Sequence, residues 1–175
     1  MMRNQALDTL RGLAVLLMIL DHAAVVFGLP EIIRLYTRVA MPLFMAISGY
    51  LWTAHRPHRL GLVALAAALS APLEIYLGLT QPGILTVWLL AQIAMPLVAR
   101  YPAETAFFAL VSTFMINPWS GYHPGLLLVF LALGRLIPPP RHFHLPPFAL
   151  VGRLPLSFYL AHLVILSAFI FYLPA

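Results

Sequence analysis

The sequence contains no cysteine and no lysine, and only five acidic residues in 175 positions. Without cysteine there is no disulfide, no thiolate metal site and no cysteine nucleophile. Without lysine, all ten basic residues are arginine, and several sit inside or beside apolar runs. Charged residues make up 9% of the chain, against about 25% for a soluble domain, so a water-facing surface cannot be built from this inventory. The arginines are not interleaved with aromatics in a polar domain, so nothing argues for nucleic acid as a partner.

What is present is apolar. Hydrophobic residues account for 62% of the chain and the mean hydropathy is +0.94. In lipid each apolar run must satisfy its own backbone hydrogen bonds, which leaves helices or a closed barrel. The runs are continuous and do not alternate with period two, so helices are expected. Seven spans are predicted, running about Leu7 to Gly28, Leu35 to Trp52, Leu60 to Leu79, Ile84 to Ala99, Thr105 to Ile116, Leu126 to Ile137 and Leu154 to Leu173. The fourth, fifth and sixth are short against the roughly 20 residues needed to cross hydrocarbon; they could extend into their flanks, or one could be re-entrant. Short links with turn chemistry join them, at Gln81-Pro82-Gly83, Asn117 to Gly121, and Pro138 to Pro140. The expected fold is an all-α polytopic transmembrane bundle of six to seven spans, forming one domain over residues 1–175.

Arginine placement orients the bundle. With the amino terminus in the cytoplasm, Arg3, Arg56, Arg59, Arg100, Arg135, Arg141 and Arg153 fall at the inner face. Only Arg34 and Arg38 fall toward the outer face, and Arg11 lies one turn into the first span. This is the positive-inside asymmetry.

Ionisable residues inside a span are costly and are functional candidates by default. The first span holds Asp8, Arg11, Asp21 and His22. Asp8 and Arg11 are three apart and can pair on one face. Arg11 and His22 are eleven apart, within about 20° of three full turns, so they share a face about 16 Å apart along the axis. Asp21 points about 100° away from His22. A cation near the inner face and a deeper imidazole on the same stripe suit a long ligand with an anionic head and a reactive far end.

The stretch Leu7-Asp8-Thr9-Leu10-Arg11-Gly12-Leu13-Ala14, ending at Asp21-His22, resembles the first span of the membrane acyltransferase-3 superfamily. That family carries an arginine and a histidine separated by ten residues. Arg38-Val39-Ala40-Met41-Pro42-Leu43-Phe44, followed by Ser48-Gly49-Tyr50, resembles the second span, with closest likeness to the TraX-like and heparan-alpha-glucosaminide acetyltransferase-like short branches. Phe158-Tyr159-Leu160-Ala161-His162 resembles the pattern of the last span. The likeness is good over the first sixty residues, moderate over the last twenty-five and poor between them. Family members usually have about ten spans, more than this chain can hold.

The resemblance implies transfer of an acyl group, commonly acetyl, from acetyl-CoA or another acyl-CoA to a hydroxyl or amine. His22 would be the general base, with Asp21 and His162 as further catalytic candidates. Arg11, with Asp8, would contact the CoA phosphates. A neutral imidazole can take a proton near pH 7, and a guanidinium can clamp phosphate oxygens. The implied partners are membrane lipids, acyl-CoA and an acceptor that is a glycan, peptide amine or lipid; a homo-oligomer is left open. The implied location is a cell membrane, the bacterial inner membrane in particular. No metal is expected.

Arg38, Ser48, Glu74 and Tyr159 are candidates for substrate binding. Arg38 precedes Pro42 by one turn, where the missing N–H would free a carbonyl inside the membrane; pairing with Glu31 or Asp21 is the plainer role. Ser48-Gly49 suits close helix packing. Glu74 could orient a histidine or end a helix, and His162 could bond Ser157 or another helix. Tyr122 and His123 could line an entrance or, with Trp119, anchor the interface. His55, His58, His142 and His144 accompany inner-face arginines, and solvated basic loops meeting anionic lipid explain them better than a metal site. A small proton-coupled transporter and a non-catalytic scaffold are the competing functions.

Overall fold

The computed structural model describes residues 4–52, 57–79, 84–116, 124–138, 143 and 145–172. Nine helices account for nearly all of them: α1 (Gln5–Val26), α2 (Glu31–Thr37), α3 (Ala40–Leu51), α4 (Pro57–Tyr76), α5 (Ile84–Arg100), α6 (Pro102–Ile116), α7 (Pro124–Leu136), α8 (Pro146–Arg153) and α9 (Pro155–Tyr172). There is no strand among the described residues. Three segments are long and apolar enough to cross a membrane: Gln5–Val26, Glu31–Leu51 across the α2–α3 junction, and Pro155–Tyr172. Leu60–Tyr76, Leu85–Arg100 and Gly125–Leu136 are shorter apolar helices.

The distribution of side chains is inverted relative to a water-soluble bundle. Large apolar groups face outward, among them Ile75, Ile93, Phe107, Phe108 and Phe171, while Asp8, Thr9, Ser70, Glu74 and His162 are buried. Lipid accepts the first set at no cost, and helix contacts satisfy the second. The central core is made by Val15 and Met18 of α1, Met41 and Met45 of α3, Met95 and Val98 of α5, Leu131 of α7, and Tyr159 and Leu163 of α9.

Local signals place the helix ends. Asn4 caps α1, its side-chain oxygen accepting from the N–H groups of Ala6 at 3.0 Å and Leu7 at 3.3 Å; such a cap contributes ~1 kcal/mol. At the other end Gly28 has φ +60°, and the Leu29 N–H reaches the Ala24 carbonyl at 2.9 Å. Gly78 ends α4 in the same way, with φ +70° and a 2.9 Å bond from the Leu79 N–H to the Glu74 carbonyl. Both are left-handed glycine caps, and they fix where the turns carrying His22 and Glu74 stop.

Two glycine contacts bring helix backbones together. A Cβ on Gly12 would strike the carbonyl of Phe148, and one on Gly152 would strike the carbonyl of Asp8. This reciprocal clasp lays α8 along the first half of α1. Between α3 and α7 the same exchange occurs, with Gly49 against the carbonyl of Leu131 and Gly134 against that of Ala46. The close-packing role expected of Ser48-Gly49 is therefore real. Thr9 adds a tie to α8, accepting from the Leu145 N–H at 3.2 Å while its own hydroxyl donates to the Gln5 carbonyl at 3.0 Å.

Two elements differ from the expected spans. The second span is divided into α2 and α3 at Arg38 and Val39, and Pro42 falls in the first turn of α3. The backbone at Arg38 and Val39 stays in the right-handed helical region, and Pro42, lacking an N–H, can make no bond back to the Arg38 carbonyl one turn earlier. The final span is preceded by α8, which the sequence reading had left unassigned. Pro146 and Pro147 begin α8, and Pro155 separates it from α9. Gln81 to Gly83, Asn117 to Gly121, Trp119, Tyr122, His123, His55, His142, His144, Arg3, Arg56 and Arg141 lie outside the described residues.

Candidate functional site

Three helices from distant parts of the chain meet around His22. α1 and α9 run parallel, as the successive pairs His22 with His162 and Phe27 with Phe169 show. His22 Nδ1 lies 2.8 Å from His162 Nε2, and the ring planes are within 15° of parallel with centroids 5.1 Å apart. Two nitrogens at that distance cannot both carry hydrogen, so one donates to the other. His162 Nδ1 lies 3.2 Å from the Phe158 carbonyl, one turn back on α9.

Tyr159 stands edge-on to both rings. Its centroid is 6.4 Å from that of His22 at 70°, and 5.4 Å from that of His162 at 74°. The geometry is the edge-to-face arrangement that aromatic quadrupoles favour. The Tyr159 hydroxyl donates to the Glu74 carboxyl of α4, and both residues are buried. Ser70, one turn before Glu74, is also buried and donates to the Ala67 carbonyl at 3.1 Å. Glu74 thus lies in the last turn of α4 and orients a tyrosine; it contacts no histidine directly. Burying a carboxyl in an apolar bundle requires such a partner, and the partner comes from 85 residues further along the chain.

Asp21 faces away from His22, as helix geometry required. It accepts from the Thr37 hydroxyl at 2.8 Å and sits 4.0 Å from Arg34 Nε. It therefore fastens α2 to the end of α1. Arg38 forms no ion pair with Glu31 or Asp21; the arginine beside Asp21 is Arg34. Ser48 accepts from the Trp88 indole N–H at 2.7 Å, which links α3 to α5. Trp88, Thr37 and Ser70 escaped the sequence reading. No local spacing relates Trp88 to a serine forty positions earlier, so no sequence signal would have found it.

Asp8 and Arg11 pair as predicted, Arg11 Nη1 lying 3.4 Å from Asp8 Oδ1, with the carboxylate 3% exposed and the guanidinium 28% exposed. Each has further contacts. An apolar cleft of about 250 Å³ opens beside this end of α1, lined by Leu7, Leu10, Ala46, Tyr50, Phe130 and Leu133 among others. Neither Arg11 nor His22 lines it. Among the described residues no three His, Asp or Glu side chains converge as a metal site would require.

The structure thus assembles His22, His162, Tyr159 and Glu74 into one buried cluster. It holds Asp8 with Arg11 at the opposite end of α1, and gives Asp21 and Ser48 helix-joining roles. A histidine pair packed against a tyrosine that is itself bonded to a carboxyl can accept and return a proton.

No curated protein and no solved structure matches this chain. One family model does match: residues 4–67, which span α1, α2, α3 and the first half of α4 with Arg11, His22, Arg38 and Ser48, are similar to the model described as an acyltransferase domain.

Proposed function

We propose that the protein is a membrane acyltransferase that moves an acyl group, acetyl first among the candidates, from acyl-CoA to a hydroxyl or amine. The observation that carries this reading is His22: it stands on a helix similar to the acyltransferase-domain model, partly buried, with a ring nitrogen 2.8 Å from a second histidine. In the proposed reaction the His22 ring takes the proton from the acceptor as its oxygen or nitrogen bonds the acyl carbon. The carbon–sulfur bond breaks, and the CoA thiolate receives that proton from His22. A positioned base of this kind is worth about 10²–10⁴ in rate.

Arg11, near the inner end of α1, would hold CoA phosphate oxygens in its fork, with Asp8 keeping the guanidinium aligned. Arg38, Tyr159 and Ser48 remain candidates for holding the acceptor, which would be a glycan, a peptide amine or a lipid. The parallel α1–α9 contact is compatible with seven crossings formed by α1, α3, α4, α5, α6, α7 and α9, the amino terminus in the cytoplasm. In that arrangement α2 leads into α3 from the outer side and α8 leads into α9 from the inner side. The positive-inside count supports this orientation, and a bacterial inner membrane is the proposed location. Affinity to the TraX-like branch belongs to the same proposal.

The test uses purified full-length protein in lipid nanodiscs with acetyl-CoA. Acetyl-CoA should bind, and Arg11→Ala should weaken binding while His22→Ala preserves binding and removes thiol release in the presence of cell-envelope fractions. A folded protein that does not bind acetyl-CoA overturns the reading and favours a scaffold or a proton-relay carrier.

A further inference from the structure

The two histidines differ in which nitrogens are committed. His162 Nδ1 is 3.2 Å from the Phe158 carbonyl oxygen. A carbonyl only accepts, so the hydrogen of this contact belongs to His162 Nδ1. In a neutral imidazole the other nitrogen then carries the lone pair. That nitrogen, His162 Nε2, is the one 2.8 Å from His22 Nδ1, so His22 Nδ1 carries hydrogen and donates. The remaining lone pair of His22 is on Nε2, which forms no hydrogen bond with any described residue.

We infer that His162 is a positioning residue that sets the tautomer of His22, so that Nε2 is the nitrogen of His22 that takes the proton. The inference deepens the acyltransferase reading and rests on it for the word base; the tautomer assignment itself rests on the two distances alone. A flip of either ring would put carbon where nitrogen now stands and lose the bridge. Flipping is opposed by Tyr159, whose ring meets both imidazoles edge-on and whose hydroxyl is anchored on Glu74. The carbonyl of Phe158 belongs to the continuous helix α9, and backbone cannot rotate away as a side chain could. The lock therefore runs from a helix backbone through His162 to the face of His22 away from α9.

The arrangement also has a consequence for the reacting state. When His22 Nε2 accepts the acceptor's proton, the ring carries hydrogen on both nitrogens and a positive charge. Its Nδ1–H to His162 Nε2 bond becomes charge-assisted, which roughly doubles its strength. When the carbon–sulfur bond breaks, Nε2 hands the same proton to the thiolate and the starting tautomer returns. No proton leaves the site, and His162 keeps its own throughout.

The experiment is nitrogen-15 NMR of histidine-labelled full-length protein in nanodiscs, with the His22 signals identified by their loss in His22→Gln. The expected spectrum shows hydrogen on His22 Nδ1 and a bare Nε2. In His162→Leu the His22 ring should revert to the mixture of an unconstrained imidazole. In His162→Gln, whose amide oxygen can occupy the place of Nε2, the Nδ1–H form should persist. Kinetically, His162→Leu should lower kcat by ~10²–10⁴ with KM for acetyl-CoA little changed, and His162→Gln should recover most of that loss. Hydrogen on His22 Nε2 in the unaltered protein, or an unchanged His22 spectrum in His162→Leu, overturns the inference. The wild-type and His162→Gln spectra decide it even where the leucine variant does not fold. The spectra need no turnover, so a locked His22 in a protein that transfers no acyl group would count against the proposed function and not against the lock.

Discussion

The two ends of α1 handle polar residues in opposite ways. At the beginning of the helix, Asp8 and Arg11 pair within one turn of the same helix, and Gly12 lets the backbone of α8 press directly onto α1. Near its end, His22 finds no partner on its own helix and is bridged to His162 on α9, while Tyr159 beside them is tied to Glu74 on α4. The first arrangement is local and closes one helix pair. The second joins three helices and leaves one imidazole nitrogen uncommitted. A membrane interior penalises unpaired polar groups, so a site that keeps one reactive lone pair must surround it with partners that are fully satisfied. The contrast separates the proposed base in the second region from the proposed phosphate contact and the helix clasp in the first.

The sharpest way to break this division is His22→Ala. It should lower acyl transfer by about 10²–10⁴ in kcat, read as thiol release from acetyl-CoA, with little change in the melting temperature of the detergent-solubilised protein. A large loss of stability with activity per folded molecule intact would reverse the two roles. Gly152→Leu should do the opposite. Its side chain would collide with the carbonyl of Asp8, and overpacking against backbone should cost about 3 kcal/mol, visible as a lower melting temperature.

Tyr159→Phe should destabilise by about 1–3 kcal/mol, because it leaves the buried Glu74 carboxyl without its donor. Combined with Glu74→Leu, the loss should be clearly less than additive, and the double-mutant cycle in chemical denaturation measures that coupling. Additivity would mean that the two residues are not partners. The smallest effect is expected for Asp21→Asn. The amide oxygen can still accept from Thr37, so stability should shift by less than about 1 kcal/mol and kcat should remain within about twofold. A large drop in kcat would place Asp21 in the reacting cluster, against the geometry.

Much of this was legible in the chain. The Asp8–Arg11 pair follows from a three-residue spacing, since neighbours on a helix surface are set by 3.6 residues per turn. The same periodicity turned Asp21 away from His22, and the structure places it on Thr37 and beside Arg34. The start of α3 was not legible, because Pro42 reads equally as a kink inside a long span or as a first-turn residue. Nor was α8, whose eight residues are too few to show a period. Ser48 looked like a packing residue, and its neighbour Gly49 is one; its bond to Trp88 depends on how α3 and α5 are brought together.

By itself the sequence determined the class of solvent and the unit of structure. Ten arginines without lysine and a mean hydropathy of +0.94 exclude a water-facing surface, and backbone hydrogen bonding in lipid leaves only helices for runs of this length. It also determined which residues on α1 share a face, because that is a property of one helix. Only the tertiary structure decided which polar groups meet. His22 and His162 are 140 residues apart, and no rule of local spacing connects them. Their pairing arises from α1 and α9 packing in parallel, and the nitrogen left bare on His22 is set by a backbone carbonyl on the second helix.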